Sequence, residues 1–260
     1  VILLAGLVGD LITKKYPKEA EEINQQGVIN TIDTVIEMQI GRLVFVSTCS
    51  NYGIMAANEL ADEDYPTNPQ SSYADAKIAS EQYLLSRAKD TATIPTVLRF
   101  ATAFGLSPRM RFDLTVSEFV AQLYLGNELY VYDAHTWRPY CHVLDFARLI
   151  EIVIRAPLNE TAFEIFNAGG DQNNCTKQMI VELILKRIPH GKVKYKLDGV
   201  DPRNYRVNFT KVKERLNFEP KYTVGYGIDE LIGLLEEGLF PKPTEKIPEN
   251  GNYLLPGRGL

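Results

Sequence analysis

Two short apolar runs constrain this chain more than any other feature: residues 42–47 (Arg-Leu-Val-Phe-Val-Ser) and 94–100 (Ile-Pro-Thr-Val-Leu-Arg-Phe). Each has the length and the β-branched content of a buried strand. The first runs straight into a polar tip, Thr48, Cys49, Ser50 and Asn51, and the second into a segment containing Thr102. Residues 72–89 between them read as a helix, with Ser71 or Ser72 as its N-cap. Strand, polar tip, helix, strand is the order expected of an open parallel α/β sheet, where ligands bind outside the carboxyl ends of the strands. Thr48 emerges at such an end.

On that helix Tyr73 and Lys77 are four residues apart and share a face, which brings an ammonium beside a phenol. An isolated phenol has a pKa of about 10 and is a poor base at neutral pH. A neighbouring cation favours the phenolate and brings it toward the working range. The pair alone is a weak signal, because 14 tyrosines make about one chance Tyr-x-x-x-Lys match expected. Its weight comes from the polar strand end at Thr48, 25 residues upstream.

Composition excludes several classes. A net charge of −5 argues against non-specific nucleic-acid binding. No apolar run reaches the ~18 residues of a membrane span, and no signal peptide is visible. Three cysteines, Cys49, Cys141 and Cys175, have no metal spacing and suit a reducing, cytoplasmic location. The three histidines are scattered; His142 reads as structural and no metal is expected.

Strands and helices alternate from residue 1 to about 106, with long helices at 19–39 and 72–89 and a Pro-rich loop at 63–70. From 107 to 240 the pattern changes to short strands near 129–132 and 193–197 and helices near 113–125, 176–187 and 224–238. Part of this region, 144–168, is expected to return to the first sheet. Residues 241–260 carry four prolines and read as an extended tail.

With these motifs in place the chain resembles the extended short-chain dehydrogenase/reductase family, in particular its NAD-dependent nucleotide-sugar epimerases, dehydratases and 4-oxidoreductases. Thr48, Tyr73 and Lys77 match the catalytic triad in type and separation. Leu-Ala-Gly-Leu-Val-Gly (4–9) resembles the strand-end segment over the cofactor, and Ile-Asn-Gln-Gln-Gly (23–27) a helix whose Asn lies near the nicotinamide ribose. Arg-Phe-Ala-Thr-Ala-Phe-Gly (99–105) is similar to the strand before the substrate lobe, and the segment 137–145 to an Arg-x-Tyr-x-His-Val-x-Asp motif. The resemblance implies a Rossmann-type doubly wound parallel sheet with a smaller α/β substrate-binding lobe. It implies NAD as cofactor, with NADP left open, touched by Leu4, Ala5, Gly6, Asn24, Val46, Tyr73 and Lys77. It implies a nucleotide-diphosphate sugar as substrate, met by Thr102, Arg109, Arg111, Arg138 and Arg203, since guanidinium matches phosphate oxygens bidentately. It also implies a homodimer packed through the helices at 19–39 and 72–89.

The family normally opens with a strand, a Gly-x-x-Gly-x-x-Gly turn and a helix, whose glycines let the backbone approach the pyrophosphate. That loop is absent from these residues. By family comparison roughly 60–75 residues, one βαβαβ half, are expected in front.

Within the family, dehydratases carry carboxylates just after the triad Thr, where this chain has Cys49 and Ser50. Dehydration is therefore not expected, and Cys49, one residue short of the place of the family's Cys base, reads as a packed residue. The expected activity is a nucleotide-sugar 4-epimerase or 4-oxidoreductase, acting by reversible hydride transfer at C4. The segment 104–114 and the Asp-Pro-x-x-Tyr-x-Val segment (201–207) look most like GDP-heptose 4-dehydrogenases and related epimerases. The competing reading is a non-catalytic relative or fragment that binds a nucleotide or a partner without turnover.

Overall fold

The computed structural model describes residues 1–56, 58–108, 110–197, 199 and 202–238. The first apolar run is strand β2 (Arg42–Thr48) and the second is β3 (Ile94–Phe100), paired in parallel from Arg42 opposite Ile94 to Thr48 opposite Phe100. β1 (Ile2–Leu3) flanks β2, and the sheet is completed beyond β3 by a strand from much later in the chain, introduced below as β7.

Side chains on a strand alternate between faces, and each face of this sheet has its own cover. Leu43, Phe45 and Val97 meet Ile32, Val35 and Ile36 of helix α3 (Val28–Glu37) and Leu84 of helix α4 (Ser72–Arg87). Val44 and Leu98 meet Leu149 and Val153 of helix α6 (Val143–Arg155). Apolar contact on both faces is why β2 and β3 read as continuous apolar runs.

The helix expected at 19–39 is built in three parts. After α1 (Asp10–Lys15), α2 (Pro17–Glu21) leads into a π-helical turn, Glu22–Gly27, before α3 begins. A π turn inserts residues into the spiral; here Asn24 is buried within it. The helix expected at 72–89 is α4, and Ser71 is its N-cap, its side chain accepting from Ala74 N at 3.3 Å.

After β3 the chain passes through β4 (Thr102–Phe104) into a lobe with α5 (Thr115–Tyr124), β5 (Glu128–Tyr132) and β6 (Trp137–His142). α6 and the short α7 (Leu158–Thr161) then return it to the first sheet, where β7 (Glu164–Ala168) pairs in parallel with β3. The order is β1-β2-β3-β7, parallel throughout. β8 (Asn174–Thr176) joins β4 and β6 in a second sheet, and β9 (Lys192–Lys196), which follows α8 (Lys177–Leu185), pairs with β5. The chain then forms α9 (Thr210–Leu216) and α10 (Val224–Glu236). The lobe has its own core, in which Phe119, Val120 and Leu123 of α5 meet Val131, Ile180, Ile184 and Ile228. The strands β4, β6 and β8 did not emerge from the sequence pattern. The expected tail at 241–260 lies outside the described residues.

Candidate functional site

Lys77 is the least ordinary residue of the sheet half. It is buried, and its ammonium donates to Val46 O at 2.9 Å. It lies 4.7 Å from the centre of the Phe45 ring and 5.8 Å from that of Tyr73. Burial pulls its pKa down from 10.5 to about 8, with the charge of Glu81 opposing the fall. Tyr73, Lys77 and Glu81 follow one another at four-residue intervals along one face of α4.

Glu81 anchors that face. It takes Arg99 Nη2 at 2.8 Å and Arg99 Nε at 3.2 Å, Asn51 Nδ2 at 2.9 Å, and the Ser47 hydroxyl. Burial opposes the Arg99 charge, but the hydrogen bonds and charge of Glu81 outweigh it and raise its pKa. Arg99 also donates to Tyr52 Oη at 3.0 Å, and Tyr52 donates to Asn167 Oδ1 at 2.6 Å. This buried chain ties α4 to the ends of β2, β3 and β7, so Thr48 and the Tyr73–Lys77 face are held in register. Thr48 itself ends β2, and its Oγ1 accepts from Ser50 N at 3.1 Å.

Gly53 closes the turn after Thr48 at φ 64°, in the left-handed region. A Cβ there would stand 1.7 Å from Asn68 O, so the residue's lack of a side chain lets the loop at 63–70 lie against the strand tip. Asn68 N donates to Asn51 O at 2.8 Å in the same contact.

Leu4, Val46, Thr48, Tyr73, Lys77, Thr102, Arg111, Arg138 and Arg203 all line one cleft of about 940 Å³ between the sheet ends and the lobe. That volume is at the upper end of ligand pockets. Arg138 is nearly buried; it donates to Trp137 O at 2.9 Å and to Arg203 O, and stacks over the Tyr205 ring at 4.9 Å. The Tyr205 hydroxyl meets Ser50 Oγ at 3.3 Å, linking the strand tip to the basic wall. Arg111 binds Asp113 through Nε at 2.8 Å and reaches Val8 O at 3.2 Å, so part of its charge is neutralised within the wall.

Three of the residues expected near a cofactor fall outside this lining. Ala5 and Gly6 lie beyond it, and Asn24 commits its amide to the backbone of Leu7, accepting from Leu7 N at 2.7 Å and donating to Leu7 O at 2.9 Å. The π turn is what turns Asn24 inward, so its visible task is to staple the loop after β1. It also borders a smaller hollow that Tyr73 shares. Arg109 lies outside the described residues.

Cys49 is buried, with Sγ directed at Arg99 O at 3.0 Å, and burial pushes its thiol pKa well up. His142 caps α6, Nδ1 accepting from Leu144 N at 3.2 Å, and its Nε2 meets Glu230 at 3.0 Å.

Among the cleft residues of the lobe that the sequence reading missed are Glu118 on α5, Tyr130 and Tyr132 on β5, and Lys177 at the start of α8. Alternation in Glu-Leu-Tyr-Val-Tyr marks the tyrosines as one face of a strand; nothing local marks Glu118. Burial first, then the charge of Asp113, pushes the Glu118 carboxyl up to about 7, with Lys177 opposing.

The NAD dependent epimerase/dehydratase family model matches residues 1–169. Among characterised proteins the chain is 28% identical over 214 residues to a dTDP-glucose 4,6-dehydratase of Streptomyces niveus, covering 80% of this chain and 61% of that protein. It is 25% identical to a UDP-glucuronate 4-epimerase of Thermodesulfobacterium geofontis, covering 92% and 73%. The chain thus spans about three fifths of the length of the first relative. Among solved structures, the UDP-glucose 4-epimerase of Thermotoga maritima with UDP-glucose superposes with a TM-score of 0.81 at 24% identity, covering 92% of this chain and 78% of that one. MoeE5 in complex with UDP-glucuronic acid and NAD gives 0.80 at 21% identity, covering 92% and 79%. These structural likenesses show the fold, and the match over residues 1–169 shows that the chain belongs to the NAD dependent epimerase/dehydratase family.

Proposed function

We propose that the chain is the catalytic and substrate-binding part of an NAD-dependent nucleotide-sugar 4-epimerase or 4-oxidoreductase. The observation that carries this reading is the convergence of Thr48, Tyr73 and Lys77 on the cleft that Arg138 and Arg203 also line. The relatives named above are named for nucleotide sugars or hold one, and the MoeE5 structure holds NAD beside UDP-glucuronic acid.

The cleft wall suits the cofactor. Leu4, half exposed just past β1, and Val46 give an apolar shelf, and Lys77 spends one of its three donors on Val46 O. Leu4, Val46, Tyr73 and Lys77 would hold NAD, which when bound supplies the hydride acceptor. Tyr73 takes the proton from the sugar's C4 hydroxyl. The Lys77 ammonium stabilises the negative charge that Tyr73 carries in doing so, and Thr48 orients the same hydroxyl. Arg138 and Arg203 face the diphosphate, and the rings of Phe100 and Phe146, stacked at 3.8 Å, line the cleft as an apolar surface.

Dehydration has less support in the site, because the positions after Thr48 hold a buried Cys49 and the Tyr205-bonded Ser50. Similarity to relatives does not separate the reactions, since one of them is a dehydratase.

The test is turnover of UDP-glucose, UDP-glucuronic acid and GDP-sugars with added NAD, with C4 epimers or 4-keto products read by NMR. Tyr73→Phe is expected to lower the rate by about 10²–10⁴-fold, the usual contribution of a positioned base. Full activity in that variant would overturn the mechanism. Tight binding of these compounds without any conversion would favour the non-catalytic reading.

A further inference from the structure

We propose that Glu118 is a specificity-determining residue, whose carboxylate accepts a hydrogen bond from an N–H or O–H donor on the nucleoside part of the bound ligand. The inference rests on the nucleotide-sugar reading of the cleft and adds to it a residue and a chemistry.

An acid in the first turn of a helix ordinarily faces water and complements the helix dipole. Glu118 departs from that pattern. It lies between Ser117 and Phe119, both buried, and is itself only partly exposed, on the cleft side of α5. Other charged groups in this corner have partners: Asp113 takes Arg111 Nε at 2.8 Å, and Lys177 donates to Tyr132 O at 2.8 Å. Glu118 accepts no hydrogen bond from any described residue; burial and the charges of Asp113 and Lys177 are what act on it. A carboxylate withdrawn from water without donors is costly. A ligand that supplies a donor removes that cost.

Placement decides which part of the ligand. Tyr73 and Lys77 come from α4 against β2, whereas Glu118 comes from α5, which packs on β5 and α8. Arg138, on β6, and Arg203 line the same cleft. With the sugar at Tyr73 and the diphosphate at Arg138 and Arg203, the nucleoside is left for the Glu118 corner. Tyr130 and Tyr132, 43% and 42% exposed, also line the cleft, with the Lys196 ammonium over both rings.

Donation from the ligand favours the ionised form of Glu118. Binding then releases a proton, so affinity rises with pH through the neutral range. The charges acting on Glu118 are those of Asp113 ahead of α5 and Lys177 on α8, and Tyr130 and Tyr132 of β5 line the same cleft. A nucleotide sugar has both phosphates esterified and brings no titration of its own near neutrality.

The experiment is calorimetric binding of UDP-glucose, dTDP-glucose and GDP-glucose to the 260-residue chain, at low and high pH around neutrality, for the native protein and Glu118→Gln. The native protein is expected to bind about tenfold tighter at high pH, equivalent to lowering the Glu118 pKa by about one unit, and Glu118→Gln is expected to lose that dependence. A preference for UDP-glucose over dTDP-glucose that vanishes in the variant identifies the ribose 2′-hydroxyl as donor. A preference for GDP-glucose that vanishes identifies the guanine amino group, and equal loss for all three identifies a donor they share, the 3′-hydroxyl or the ring N–H of the base. Affinity that is flat or falling with pH in the native protein overturns the proposal without any variant, and so does a dependence that survives in Glu118→Gln. Failure of every nucleotide sugar to bind at either pH overturns the functional reading, and the Glu118 proposal with it.

Discussion

Replacing Lys77 with Met is expected to make the chain more stable while removing the chemistry. Lys77 is 4% exposed, and burial brings its pKa from 10.5 down to about 8. At about 1.4 kcal/mol per pKa unit, holding this ammonium charged inside the fold costs about 3 kcal/mol. Methionine fills a similar volume with a flexible apolar chain. Against that gain stands the Val46 carbonyl, which loses its donor at 2.9 Å, a loss of about 1 kcal/mol. The net expectation is a gain of about 2 kcal/mol at neutral pH. The sign with pH follows from the depressed value. Below about 8 the lysine is charged in both states and the whole penalty is present. Between about 8 and 10.5 the folded state sheds its proton first, so the penalty is relieved and the advantage of the Met variant shrinks. Urea unfolding followed by circular dichroism, with matched slopes, measures this at neutral pH and again near the upper limit. A Lys77→Met chain less stable than the native one at neutral pH would refute the reasoning. So would an advantage that does not change as pH rises. Loss of turnover in the same variant, at a stability equal to or above native, separates a catalytic lysine from a structural one.

Glu81→Leu leaves Arg99 charged and buried without its 2.8 Å partner, and should cost about 3–5 kcal/mol in urea unfolding. Adding Arg99→Met should recover most of that loss; a double variant as unstable as Glu81→Leu would show that the pair is not the coupled unit described. Gly53→Ala should destabilise by about 2–4 kcal/mol through a positive φ and a Cβ 1.7 Å from Asn68 O. A Gly53→Ala chain within the error of native in thermal unfolding would mean that the loop at 63–70 shifts freely against the strand tip.

What the sequence made legible is what local pattern encodes. β2 and β3 are buried on both faces and so appear as unbroken apolar runs, and α4 carries its cap at Ser71. The second sheet left no such trace: β4 and β8 have three residues each, too few for a period, and β6 contains Pro139, a residue that argues against a strand interior. Asn24 shows a different limit. Family resemblance leads to the expectation that it lies near a cofactor, yet a π turn, which depends on tertiary packing, turns the side chain onto the Leu7 backbone.

The charged groups of the interior carry the argument further. Glu81 lies four residues past Lys77, but its partner Arg99 comes from β3 and only the fold joins them. Glu81 and Arg99 neutralise each other, and their strut positions the strand ends without presenting chemistry to the cleft. Lys77 and Glu118 differ from them: burial displaces each toward its neutral form, and each lines the cleft, one from α4 and the other from α5. A sequence that keeps two such costly groups, where apolar residues would stabilise the fold, departs from local consistency in the way functional sites do. That the two sit at the proposed sugar end and the proposed nucleoside end of one cavity makes a ligand spanning both the economical explanation of why each is retained.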